Sequence, residues 1–302
     1  MEPACRMCAS GDAAPHHEEA GHRYFKCRGC GFVFLHPGLT AAELEKLYQE
    51  EAGATFHHGA EIAASHEKDH EARLRLQVVG SILATAPEKS ALEIGCSAGY
   101  LLSRLRDQGW QVAGTEMSDD YIRYARETMK LEVGRTPPDR RFGAVLLFNV
   151  LSHLPDPERD LAALRARLVP GGVLVLETGN AAEVAPERVG HFGAPEHLWH
   201  FSEPTLHSML GRIGFRDIVV RRFNVEWQRG MIRKLGALRG PSHGIAPAEA
   251  GAPTGRAGPS TALRASLKRR MANRFLLWLR FGMGRLRANP DHFCTLFVTA
   301  RV

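Results

Sequence analysis

The segment Leu92-Glu93-Ile94-Gly95-Cys96-Ser97-Ala98-Gly99, followed by Glu116 after the strand-like run 111–115, decides the fold. It reads as strand, glycine turn, helix, strand, acid. In an open parallel sheet that order lays a nucleoside-bearing ligand across the carboxyl ends of the strands. A residue without Cβ lets the backbone approach a ligand closely. A carboxylate after the second strand can accept hydrogen bonds from both ribose hydroxyls. The spacing departs from the dinucleotide fingerprint G-x-G-x-x-G, because Cys96, Ser97 and Ala98 separate the two glycines. An acid at Glu93, just before the turn, suits a cationic ligand with an ammonium or sulfonium centre.

Outward from this segment the β/α alternation continues. The reading places strands at 91–94, 111–115, 131–134, 142–148, 173–177 and 218–222, and a last one at 293–300. The run 142–148 is almost wholly apolar, as a central parallel strand should be. Helices fall at 100–108, 121–129, 161–168 and 206–213, with Ser118 or Asp119 as a cap.

These pieces resemble motif I and the following elements of the class I S-adenosylmethionine-dependent methyltransferases. The resemblance implies an α/β, Rossmann-like seven-stranded sheet, with the last strand antiparallel between strands five and six. It implies that Glu93, Gly95, Cys96, Ser97 and Gly99 shape the pocket for the amino-acid end of S-adenosyl-L-methionine. By the same resemblance Glu116 holds the ribose, Met117 stacks on adenine, and Asn149 and Val150 line the floor under the methyl group. Asp139 is a poor counterpart of the acidic adenine contact seen in many relatives. His153, in Asn149-Val150-Leu151-Ser152-His153, matches a histidine common after strand four. It acts as a base or fixes its loop. His197 and His200 sit in Glu196-His197-Leu198-Trp199-His200, in a loop that lies over the acceptor side in this fold. They orient an acceptor or pin the loop.

The N-terminal forty residues form a second unit. Cys5-x-x-Cys8 and Cys27-x-x-Cys30 are 18 residues apart, the spacing of a zinc ribbon. Two thiolate pairs suit one tetrahedral structural Zn²⁺. Tyr24, Phe25, Phe32 and Phe34 would supply a small core, and His16, His17, His22 and His36 read as surface residues. Cys96 and Cys294 read as buried thiols. Residues 41–89 read as a helical linker or cap, with Thr40 and Glu43 as a capping box. Within it His66-Glu67-Lys68-Asp69-His70 is a formal H-E-x-x-H. Its very polar flanks read as a solvated helix face rather than a catalytic zinc site.

The net charge of +6 over 302 residues hides an asymmetry. Residues 229–287 carry 13 Lys/Arg and one acid, and the rest of the chain carries a net −6. Such asymmetry points to an anionic partner. Within a basic insertion at about 226–290, residues 240–262 read as a loop. Residues 263–287 read as a basic amphipathic helix, a lid, a dimer contact or a membrane-surface element. No run approaches a membrane span, and the N-terminus does not read as a signal peptide. A cytoplasmic location is expected, with peripheral contact at the inner face of the membrane as an extension.

A ribbon joined to this cofactor domain resembles bacterial methyltransferases that act on sugars or glycans. Relatives that methylate carbon of nucleotide-linked deoxysugars carry a further large C-terminal domain. O-methylation of a sugar, glycan or other small molecule is therefore the expectation. A zinc-ribbon ribosomal RNA methyltransferase is the alternative, weakened by the few Lys/Arg in the ribbon and by Asn149-Val150-Leu151-Ser152 after strand four. A non-catalytic adaptor binding S-adenosylmethionine or a partner is the third reading.

Overall fold

The computed structural model describes residues 3–57, 66–224, 291 and 293–302. Short, mostly continuous apolar runs become two sheets. The larger has seven strands: β4 (Ser90–Ile94), β5 (Gln111–Thr115), β6 (Glu132–Gly134), β7 (Phe142–Phe148), β8 (Leu168–Gly179), β10 (Arg216–Asn224) and β11 (Cys294–Arg301). Their order across the sheet is β10-β11-β8-β7-β4-β5-β6. Strands β4 to β8 pair in parallel. β11 runs antiparallel between β8 and β10, the expected insertion of the last strand.

Every residue of β7 is buried, because helices cover both faces of a parallel sheet. β4 pairs with β5 on one side and β7 on the other. The strand order reverses there, and a crevice opens at the carboxyl ends. The helix Asp119–Glu127 starts at Ser118, whose hydroxyl accepts the Tyr121 N–H. The helix Ala41–His57 starts with the expected capping box: the Thr40 N–H donates to Glu43 at 2.7 Å, and the Glu43 N–H donates to the Thr40 hydroxyl at 3.3 Å.

The second sheet has four strands, β1 (Ala13–Glu19), β2 (His22–Cys27), β3 (Val33–Leu35) and β9 (Trp199–His200). The first three come from the ribbon. The fourth comes from the loop after β8, pairing Val33 with His200 and Phe34 with Trp199. The ribbon aromatics accordingly do not form a separate core. Phe32 lies 5.8 Å from Trp199 and 5.2 Å from Phe201, centroid to centroid, and the buried cluster runs from Tyr24 through to Leu92 and Val145. Burying such rings contributes several kcal/mol of apolar transfer.

The histidines read as surface residues also differ. His16 and His17 are half-buried, with His17 stacked on Phe192 at 4.3 Å and His16 edge-on to it at 6.0 Å. Burial, with Lys26 and His17 nearby, holds the His16 imidazole down at about 4. His22 is half-buried and His36 exposed. Cys96 and Cys294 are buried free thiols.

The residues His66–His70 open the helix His66–Leu83. Of their side chains the structure describes Asp69, which takes a two-pronged pair from Arg104 at 2.6 and 2.7 Å. The basic helix read at 263–287 lies outside the described residues. The two strands flanking the insertion meet in register, Asn224 opposite Cys294, at the carboxyl end of β8. Among the described residues no helix is long and apolar enough to cross a membrane.

Candidate active site

The turn after β4 is built by backbone that only glycine suits. Gly95 has φ +67°, and a Cβ there would stand 2.6 Å from Val150 Cγ2; at Gly99, φ +81°, it would stand 2.4 Å from a Leu131 methyl. Asn149 and Val150 leave the end of β7, Asn149 itself at φ +57° with its N–H on the Glu177 carbonyl at 3.0 Å. The Gly95 turn and the Asn149–Val150 floor therefore touch.

Glu116 closes the adjacent corner. One carboxylate oxygen accepts the Ser97 N–H at 2.9 Å, and the other accepts the N–H groups of Met117 at 2.7 Å and Ser118 at 3.0 Å. The acid thus ties the turn to the end of β5, and its remaining lone pairs are available to ribose hydroxyls. Met117 is an exposed large apolar residue, 38 % accessible, as a platform for a flat ring would be. Cys96 contributes main chain alone; its sulfur turns into the core, 2.6 Å from where a Gly114 Cβ would stand. Asp139 is away from this corner, exposed and paired with Arg167 at 2.9 Å.

Glu93 is the strongest sign of a ligand. It is 5 % exposed, and its Oε2 is buried with no hydrogen-bond partner. An orphan acceptor of this kind calls for a partner. Burial pushes the Glu93 carboxyl up to about 8, with Arg75 opposing and Glu116 adding to the rise. Arg75 also pairs with the fully buried Glu177 at 3.1 Å and lies 4.8 Å over the Phe148 ring. A cationic ligand at the turn would answer this carboxylate.

At and beyond the turn after β7 lies a cluster of imidazoles. His153 ends the turn Leu151–His153 after β7. His197 lies on the loop before β9, its ring edge-to-face with His153 at 4.5 Å. Trp199 Nε1 donates to the Leu154 carbonyl at 2.6 Å and the Leu198 N–H to Ser152 at 2.8 Å, locking the two loops together. Tyr48, from the helix Ala41–His57, reaches His153 Nδ1 at 2.6 Å. Burial and His197 lower the His153 imidazole to about 4, against carbonyls of Asn149 and Glu196 that favour the proton. Burial likewise lowers His197, whose ring faces the Phe192 main chain as a hydrogen-bond partner. Both are neutral near pH 7.

His200 is different. It is 6 % exposed, packed against Tyr24 at 5.1 Å and Phe192 at 4.9 Å, and burial lowers it well below an ordinary imidazole. Its strand position packs it against the ribbon, with its ring 6.0 Å from that of His197 and its Nε2 buried without a hydrogen-bond partner.

At the N-terminus the Sγ atoms of Cys5, Cys8, Cys27 and Cys30 lie within 4.8 Å of one another, Cys5–Cys30 at 3.6 Å and Cys8–Cys27 at 3.5 Å. A tetrahedral Zn²⁺ with ~2.3 Å bonds to sulfur needs edges of roughly 3.8 Å. The four thiols fit that ion.

A family model described as a methyltransferase domain matches residues 66–220, half of the chain. The chain belongs to the methyltransferase domain family. The chain has the sheet order of the class I S-adenosylmethionine-dependent methyltransferase fold. It is 30% identical over 152 residues to a tRNA U34 carboxymethyltransferase of Pseudoalteromonas translucida, covering 44% of this chain and 46% of that one. It is 31% identical over 107 residues to a ubiquinone biosynthesis O-methyltransferase of Coxiella burnetii, covering 32% and 46%. The chain thus spans about half the length of the curated relatives it matches. Among solved structures it is similar to a SAM-dependent methyltransferase of Archaeoglobus fulgidus, at 20% identity and a TM-score of 0.47, covering 80% of this chain and 97% of that one.

Sequence reasoning missed Tyr48, Arg75 and Glu19. Tyr48 had a signal: it falls four residues after the buried Leu44, on the same helix face. Arg75 and Glu19 had none, since their partners are over a hundred positions away.

Proposed function

We propose that this methyltransferase acts on a hydroxyl oxygen of a small neutral acceptor, a sugar, glycan unit or phenol, with His197 as the base. The observation that carries this reading is the pair of neutral imidazoles, His153 and His197, 4.5 Å apart on loops at the carboxyl end of the sheet. S-adenosylmethionine, when bound, supplies an electrophilic methyl group. Glu93, the Gly95–Gly99 turn, Glu116, Met117, Asn149 and Val150 would hold it.

The rest is the work of this chain's residues. A hydroxyl becomes a better nucleophile as it gives up its proton, and a neutral imidazole within reach can take it. His197 directs one ring nitrogen to the Phe192 main chain, which leaves the other with a lone pair. His153 is engaged by the Tyr48 hydroxyl and faces the Asn149 and Glu196 carbonyls. It orients rather than deprotonates. Edge-to-face imidazole and phenol rings favour an uncharged, planar or polyhydroxylated acceptor. The name of the Coxiella relative, an O-methyltransferase, agrees with an oxygen acceptor. The four-cysteine cluster would hold structural Zn²⁺, which keeps the ribbon folded.

A nucleic-acid acceptor is the second reading, favoured by the tRNA relative and by the 13 Lys/Arg of 229–287. The test is calorimetric titration of S-adenosylmethionine into zinc-loaded protein and its Glu116→Ala variant, then methyl transfer to phenols, sugars and RNA. Binding lost in Glu116→Ala, with transfer to a small hydroxyl lost in His197→Ala, is the expected result. Transfer to RNA alone moves the conclusion to the second reading. Absence of binding overturns both.

A further inference from the structure

We propose that Glu19, on the N-terminal ribbon, is the positioning residue for His197, so that the ribbon builds the acceptor side of the active site. This rests on the assignment of His197 to that side.

Glu19 ends β1 and meets the loop that follows β8. One of its oxygens accepts the Gly193 N–H at 2.8 Å and the Ala194 N–H at 3.0 Å; the other accepts the Phe192 N–H at 3.2 Å and His191 Nδ1 at 2.6 Å. Three successive main-chain N–H groups converging on one point make an anion-binding nest. The anion is the ribbon's own carboxylate. Burial works against its charge, but these donors together hold the carboxyl down at about 2.

From this anchor the path to His197 is short. Gly193 has φ +85°, and a Cβ there would stand 2.9 Å from His197 Cγ and Nδ1. The His197 ring therefore lies against the bare Gly193 α-carbon. The His197 N–H returns to the Gly193 carbonyl at 2.8 Å. On the other side the Tyr24 hydroxyl, also from the ribbon, donates to the His197 carbonyl at 2.8 Å. Moving Gly193 moves the seat of the ring, and Glu19 fixes Gly193. An amide in place of the carboxylate keeps the shape but turns an NH₂ or a weaker acceptor toward three N–H donors. Charge-assisted bonds are the strong ones.

The experiment uses the full zinc-loaded chain and two variants, Glu19→Gln and Glu18→Gln, the second an exposed neighbour of equal charge. Zinc content, S-adenosylmethionine affinity, amide exchange over 191–197 and the His197 ring titration followed by NMR are measured on each. In Glu19→Gln exchange at 192–194 should speed by roughly 10- to 100-fold. The His197 midpoint should shift, because burial of the ring, which lowers it, and the Glu19 charge, which with Glu196 raises it, are both altered. Zinc content should stay and cofactor affinity change by about twofold or less. Glu18→Gln should match the wild type throughout. The proposal is overturned if Glu19→Gln leaves both loop readouts unchanged, if Glu18→Gln reproduces them, or if Glu19→Gln also loses zinc and cofactor binding, which would mark general unfolding. A wild type that binds no S-adenosylmethionine refutes the proposed function instead, while the His197 titration still reports on Glu19.

Discussion

Replacing Glu93 by glutamine should make the ligand-free protein more stable in alkaline solution and worse at binding its cation. The carboxyl is 5 % exposed with one oxygen unpartnered. Its folded pKa of about 8 stands against 4.5 for an ordinary glutamate. A raised folded value contributes stability that is fully present below about pH 4.5 and is lost as pH rises through 8. Each tenfold difference in proton affinity between the folded and unfolded chain is worth about 1.4 kcal/mol, so the loss is about 3 kcal/mol by pH 7 and about 5 kcal/mol above pH 8. Glutamine keeps the shape and removes the titration. Denaturant melts of both proteins at pH 5, 7 and 9 should agree at the first pH and diverge at the last, the variant being several kcal/mol the more stable. Titration at pH 8 should show S-adenosylmethionine affinity down by roughly 10- to 100-fold in the variant, the value of a charge-assisted contact. The thioether product, which keeps its ammonium but lacks the sulfonium charge, should be affected less if Glu93 answers the sulfonium and equally if it answers the ammonium. Parallel stability curves from pH 5 to 9 would refute the buried, high-pKa carboxyl and the argument built on it.

Three further outcomes are expected. Gly95→Ala should cost about 1–3 kcal/mol of stability and abolish cofactor binding, since φ is +67° and the new Cβ stands 2.6 Å from Val150 Cγ2; thermal melts and calorimetry check it. His197→Ala should lower methyl transfer by roughly 100-fold or more, and Tyr48→Phe by about tenfold through His153, both with unchanged S-adenosylmethionine affinity; steady-state kinetics on the acceptor found decides. His153 and His16, each lowered to about 4 from 6.5, contribute stability that is present above pH 6.5 and lost as pH falls through 4; His16→Gln should flatten the acid limb of a denaturant series between pH 6.5 and 4.

The turn proposed to hold the cofactor was legible because its geometry is local. Gly95, Gly99 and Glu116 lie within one βαβ unit, and the turn, the acid and the Thr40 capping box depend on spacings that can be counted along the chain. Alternation located the strands, and the family resemblance supplied their order with the late strand inserted antiparallel. The contacts around the proposed acceptor side were illegible for the opposite reason. β9 is two residues long, and nothing in Trp199-His200 announces a strand until β3 is beside it. His16 and His17 looked solvated because Phe192, which buries them, is distant in sequence. Glu19 sits among polar neighbours, and its four donors come from one loop far along the chain. The histidines of that loop and of the turn after β7 were brought together: His197 lies 4.5 Å from His153 and 6.0 Å from His200, ring to ring.

The pairing of β3 with β9 also fixes an order of events at the ribosome. Phe34 must wait for Trp199, some 165 positions downstream, which at ~5–20 residues per second is about 10–30 s of synthesis. During that interval the four cysteines are already made and able to take up metal, while the outer edge of β3 and the faces of Phe32 and Phe34 lack their cover. An unpaired edge beside exposed aromatics is a template for mispairing. Early metal capture shortens the list of wrong partners by fixing the hairpin first. Zinc held by the proposed four-cysteine site would therefore raise the yield of soluble protein as well as its stability once made.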